Sequence, residues 1–172
     1  MSGGPAPLVV TLLLDEEDQA RFDRLRAEHF PPERNWLQAH VTLFHALPGE
    51  HEEQVRRDVV AAADRAAFDL AVTGLRMLGR GVAYELRSGE LTAVHAGLAA
   101  RWDPWLTRQD RQRLAPHVTV QNKVTPAVAR GLHERLLAGF APWTVRARGL
   151  GLWRYLGGPW SPVLAAPFRG AG

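Results

Sequence analysis

The chain has 172 residues, 46% apolar and 23% charged, with sixteen Gly, twelve Pro and no Cys, which excludes fibres, disordered tails and disulfide scaffolds and points to one soluble globular domain. Its formal net charge is +3 and Lys123 is the only lysine, so the cationic surface is almost all arginine and keeps its charge at any relevant pH. The missing cysteines remove thiol nucleophiles and thiolate zinc sites, and the lone lysine, in Gln121-Asn122-Lys123-Val124, lacks the glycines of a phosphate-cradling loop.

Leu8 to Leu14 is a β-rich apolar run, half the length a bilayer span needs and preceded by no basic residue, so no signal peptide or membrane span is expected and the expected location is cytoplasmic. Asp15-Glu16-Glu17-Asp18 is an acidic first turn that favours a helix N-terminus; Phe22, Leu25 and His29 continue its inner face until Pro31-Pro32. A strand is predicted at His40 to Leu47 and a helix from Glu50 to Ala67. Phe68 to Leu78 and Val82 to Arg87 form a hairpin around Gly79-Arg80-Gly81, and Ser88 caps a helix striped by Leu91, Val94, Leu98 and Trp102. His117 to Lys123 is a strand, Thr125-Pro126 opens a helix with Ala129, Leu132 and Leu136 inside, and strands at Trp143 to Leu156 and Trp160 to Phe168 turn at Gly157-Gly158.

Superposing Ala39-His40-Val41-Thr42-Leu43 on Pro116-His117-Val118-Thr119-Val120 also brings Gly74-Leu75 near Gly149-Leu150. The expected organisation is a single domain over 1–172 with pseudo-repeats at about 8–87 and 88–168, two lobes facing each other across a cleft, because either half alone is too small to cover a sheet.

The repeat carries two copies of His-Val-Thr-aliphatic, and a spacing of two on a strand sets His beside Thr on one face. A pair of imidazoles, each titrating near about pH 6.5, allows one to take a proton while the other gives one. The two hydroxyls and the imidazolium then meet the developing charge. Neither motif carries an Asp or Glu near its His, so no metal and no cofactor is expected, and activity should peak at about pH 6 to 7.5.

Paired His-x-Thr-aliphatic motifs 77 residues apart and the segment Trp153-Arg154-Tyr155-Leu156-Gly157-Gly158-Pro159-Trp160 resemble the two-histidine phosphoesterase superfamily, the 2′,5′ RNA ligase-like and cyclic phosphodiesterase proteins. The resemblance implies an α+β fold of two duplicated lobes, with antiparallel-rich sheets lining a central cleft and helices outside. It implies His40 and His117 as the catalytic pair and Thr42 and Thr119 as phosphate-binding hydroxyls. The implied activity is metal-independent hydrolysis of 2′,3′-cyclic phosphates of RNA ends or nucleotides; a monomer is expected. A small-molecule cyclic phosphodiesterase is a rival within enzymes, and a non-catalytic RNA-binding module using the same cleft is a rival outside them.

Stepping by twos along the motif strands places Phe44 and Lys123 as candidate substrate contacts, a base-stacking ring and a phosphate partner, although each also fits a bland role as core residue or solvated strand end. Tyr155, with Trp153 and Trp160, is a further candidate stacking surface. Arg108-Gln109-Asp110-Arg111-Gln112-Arg113 is expected at the cleft rim. His45, five residues after His40, is expected on the opposite strand face, and His29, His51, His95 and His133 are expected to play surface or half-buried roles.

Overall fold

In the computed structural model, which describes residues 4–170, the order is β1 (Leu8–Leu14), α1 (Glu16–His29), β2 (Val41–Leu47), α2 (Glu52–Ala62), β3 (Phe68–Met77), β4 (Val82–Arg87), α3 (Gly89–Arg101), β5 (His117–Gln121), α4 (Pro126–Ala138), β6 (Trp143–Tyr155) and β7 (Trp160–Pro167). The caps act as the sequence suggests: Ser88 Oγ accepts from the Leu91 amide at 3.1 Å and Thr125 Oγ1 from the Val128 amide at 3.3 Å. Two elements end early. Helix α2 stops at Ala62, not Ala67, because the carbonyls of Ala63 and Arg65 accept from the amides of Arg169 and Gly170, and tertiary bonds replace helical ones. Strand β5 stops at Gln121, and Lys123 turns into the left-handed region at φ 64°.

All strand pairs are antiparallel, in the order β2-β1-β6-β3-β4-β5, with β7 also on β6. Strand β6 is long enough to serve two layers: residues 143–147 pair with β3, while residues 149–155 pair with β7. Two four-stranded layers, β2-β1-β6-β7 and β6-β3-β4-β5, therefore share one strand, and each draws on both halves of the sequence. Motif strands β2 and β5 lie at the far edges of these layers and approach one another. Helix α1 packs near β5, and α4 near β3 and β4, so helices lie outside the sheets.

One apolar core runs through both layers, including Leu8, Phe22, Phe44, Val72, Trp102, Val118 and Leu150. Trp102 is fully buried yet satisfied, since its indole N–H donates to Asp58 Oδ2 at 2.8 Å. No helix among the described residues is long and apolar enough to cross a membrane.

Candidate active site

His40 immediately precedes β2 and is held through its neighbour. Asp23 Oδ1 on α1 accepts from the Ala39 amide at 2.8 Å, and Gln19 Nε2 donates to the Ala39 carbonyl at 2.7 Å, so both backbone groups of the preceding residue are tied to α1. One turn on, the buried Arg26 donates to Asn35 Oδ1 at 2.7 Å and to the Thr119 carbonyl at 3.1 Å, linking the approach to the first motif with the strand of the second.

Both motif imidazoles share one local arrangement. His40 Nδ1 lies 2.7 Å from the Gln38 carbonyl, and His117 Nδ1 lies 2.9 Å from the Ala115 carbonyl. A carbonyl only accepts, so Nδ1 of His40 carries the proton and its Nε2 is left free, whereas Nδ1 of His117 lies between the Ala115 carbonyl, which accepts, and the Arg76 guanidinium, which donates. Thr42 and Thr119 follow two residues later, and all four side chains are half-buried, as residues lining a cleft would be.

The two rings differ electrostatically. Burial pushes the His40 pKa down to about 4, against the Gln38 hydrogen bond, with the charges of Arg26, His117 and His45 adding to the depression. Burial also lowers the His117 pKa, opposed by the Ala115 hydrogen bond and assisted by Arg76 and His45, while Glu85 favours the charged ring. Arg76 Nη1 is 3.2 Å from His117 Nδ1, and its Nε donates to Glu85 Oε1 at 3.2 Å. Both rings are thus pushed toward the neutral form.

Two cavities open at the motifs. The larger, about 770 Å³, is lined by His40 together with Trp36, Trp153, Trp160, Arg148 and Gly151. The Trp160 ring centroid is 4.7 Å from that of His40 and 5.9 Å from that of Trp153, whose indole N–H donates to Thr11 Oγ1 at 2.9 Å. A Cβ on Gly151 would come within 2.9 Å of both atoms of that bond, so glycine there keeps the floor open. The smaller cavity, about 250 Å³, is lined by Thr42, His117, His45, Arg76, Asp110 and Arg113 among others.

Several expected contacts fall elsewhere. Phe44 is fully buried, stacked on His95 with centroids 4.6 Å apart and edge-on to Trp102, so it is core rather than a base platform. Lys123 lies beyond the end of β5, exposed in a turn, and lines neither cavity. Tyr155 is exposed at the end of β6 and lines neither; Trp153 and Trp160 supply the aromatic wall, with Trp36 added from the loop before the first motif. Within the Arg-rich segment, Gln109, Gln112 and Arg113 line the smaller cavity, whereas Arg111 pairs with Asp103 at 2.9 Å.

His45 departs most from expectation. Register shifts between β1 and β2 place extra residues on β2, which breaks the strict alternation of faces. Phe44 thereby enters the core and His45 lines the same cavity as Thr42 and His117. Buried Asp110, 65 residues away, accepts from the His45 and Ala46 amides at 2.9 and 3.1 Å, and its Oδ1 lies 3.0 Å from His45 Nδ1. Those bonds hold the Asp110 carboxyl below its usual range even though burial raises it. Among the described residues, no group of three His, Cys, Asp or Glu side chains clusters as metal ligands would.

Solved structures share this architecture. TT0787 of Thermus thermophilus matches with a TM-score of 0.68 and 16% identity over 96% of this chain and 100% of that one. Escherichia coli LigT in complex with 3′-AMP matches at 0.63 and 19% identity, over 96% and 99%, and a crystal structure described only as a phosphoesterase at 0.61 and 18%, over 95% and 99%. At such identities the likeness establishes the fold. No curated protein sequence matches the chain at a significant level. The family model of the 2′-5′ RNA ligase superfamily matches residues 14–159, a span that contains both His-Val-Thr motifs and most of the two layers, and the chain belongs to that superfamily.

Proposed function

We propose that the protein hydrolyses the 2′,3′-cyclic phosphate of a ribonucleotide or RNA end, with His40 as general base and His117 as general acid. His40 Nε2 takes a proton from water as the water oxygen bonds to phosphorus. The bond from phosphorus to one ribose oxygen breaks, and His117 Nε2–H protonates that oxygen. Thr42 and Thr119 hydroxyls donate to the two non-bridging oxygens as charge builds on them. The observation that supports this reading is that each Nδ1 lies within hydrogen-bond distance of the carbonyl two residues before it, so that both rings present Nε2 to a ligand.

The aromatic cavity beside His40 suits a nucleobase: Trp36 and Trp160 offer ring faces, and Arg148 offers a cation at one side. That a related fold, LigT, was crystallised with 3′-AMP and with phosphate is consistent with such a ligand.

The test is incubation with an oligoribonucleotide ending in a 2′,3′-cyclic phosphate, in excess chelator, with the products resolved. Conversion to a monophosphate end, lost on His40→Ala or His117→Ala, is expected. Tight binding with the cyclic end unchanged would instead favour a binding module.

A further inference from the structure

The smaller cavity holds more donors than one cyclic phosphate can use. A cyclic phosphodiester has two non-bridging oxygens and one charge, and in the proposed reaction Thr42, which lines this cavity, and Thr119, which does not, already meet those oxygens. Beyond them lie the His45 ring, the Arg76 and Arg113 guanidiniums and the Gln109 and Gln112 amides. Arg113 and Gln112 have no side-chain hydrogen-bond or ion-pair partner among the described residues, and Arg113 is exposed.

His45 is not merely near this cavity; it is aimed. Its Nδ1 engages Asp110, a carboxylate that is 3% exposed. Two backbone amides on β2 would suffice to staple the loop, so the additional bond to the ring fixes the orientation of His45 and leaves Nε2 free. The one carboxylate lining the cavity is thus occupied, and Arg76 is engaged by Glu85, while Arg113 remains available.

Resting on the hydrolytic reading, we infer that this cavity is a second anion subsite, holding a phosphate carried on the 5′ side of the ribose that bears the cyclic phosphate. The shared chemistry is a 5′-linked phosphate, supplied either by the internucleotide diester of an RNA end or by the terminal phosphate of a single nucleotide. Arg113 and His45 contact it, and Asp110 acts through His45 as a positioning residue. The base then sits against Trp36 and Trp160 on the other side of the motifs.

Three substrates distinguish the sources: adenosine 2′,3′-cyclic phosphate, the same nucleotide with a 5′-phosphate, and a diadenylate ending in the cyclic phosphate. The wild type is expected to prefer at least one of the two phosphate-bearing substrates at least tenfold in kcat/KM, chiefly through KM. In Arg113→Ala and in His45→Phe, which keeps a planar ring, that ratio is expected to fall to within about twofold of one. No preference in the wild type, or a preference that survives both substitutions, overturns the subsite. Calorimetric affinities for adenosine 3′,5′-bisphosphate and 3′-AMP give a reading independent of turnover. If no substrate is hydrolysed but the bisphosphate binds at least tenfold tighter and loses that advantage in Arg113→Ala, the hydrolytic reading fails and the subsite stands; equal affinities overturn it.

Discussion

Arg26 on α1 donates to the carbonyl of Thr119 on β5 at 3.1 Å, across 93 residues of sequence, so a residue of the helix between β1 and β2 holds the strand of the second motif. The same side chain is 5% exposed, donates to Asn35, lies over the Phe30 ring at 4.1 Å and adds its charge to the depression of the His40 pKa. One buried cation is therefore coupled to both motifs.

Replacing Arg26 with Met keeps the apolar stem but leaves the Thr119 carbonyl and Asn35 without their donor. The expected cost is about 2–3 kcal/mol in urea unfolding, the range for orphaned buried partners of a charged group. Because a nearby positive charge is lost, the His40 pKa should rise from about 4, which an NMR titration of its ring protons reads directly. An unchanged His40 titration would remove Arg26 from the electrostatics of the site.

Stability should depend on pH through His40. Unfolded, the ring gains a proton near about pH 6.5; folded, only near about 4. Between those values the unfolded chain binds more protons, so this contribution is complete above pH 6.5 and is lost as pH falls toward 4, amounting to at most about 3 kcal/mol. His40→Asn removes that titration and should lessen the fall in that window, as urea midpoints at several pH values would show, the remainder coming from His117 and His95, whose pKa values burial also lowers. Asp110, held below its usual range, adds a further loss at lower pH that His40→Asn leaves in place.

Trp36 is 63% exposed and rests on the Gly157-Gly158 turn, where a Cβ on Gly158 would come within 2.8 Å of its ring. Trp36→Ala should change the unfolding midpoint little. It should weaken nucleotide binding by about 5- to 100-fold, the range of one lost base–aromatic stack. Equal affinity for 3′-AMP in variant and wild type would place the base elsewhere.

Much of this was legible before the structure. An apolar run marks β1, an acidic first turn marks α1, Ser88 and Thr125 mark their helices through the donors they satisfy, and the duplicated His-Val-Thr unit marks the two motif strands, which approach one another. What escaped has physical causes. Alternation by twos fails along β2 because register shifts insert residues, and this sends Phe44 to the core and His45 to the cavity. Asp110 reads as one acid in an Arg-rich loop, and its meaning lies in a contact made 65 residues away. Arg26 sits on the face expected to be apolar, and only the two acceptors it reaches explain its burial. Trp36 left a usable trace, a large aromatic in a polar loop four residues before His40.

The four motif side chains should not be equal under mutation. His40→Ala and His117→Ala should each lower kcat about 10²- to 10⁴-fold, with the double variant little worse than the worse single one. Thr42→Ala and Thr119→Ala should cost less, each removing one donor. Full additivity in the double His variant would show that the two rings do not serve one step.

The most direct measurement is the pH profile of kcat/KM for the wild type beside His40→Ala and His117→Ala. With His40 neutral above about pH 4 and the His117 pKa below its ordinary value of 6.5, the wild-type bell should peak on the acid side of the pH 6 to 7.5 expected of unperturbed imidazoles. His40→Ala should lose the acid limb and keep the alkaline one, and His117→Ala should do the reverse. Both limbs persisting in both variants, or activity abolished by chelator and restored by zinc or manganese, would contradict the two-histidine account.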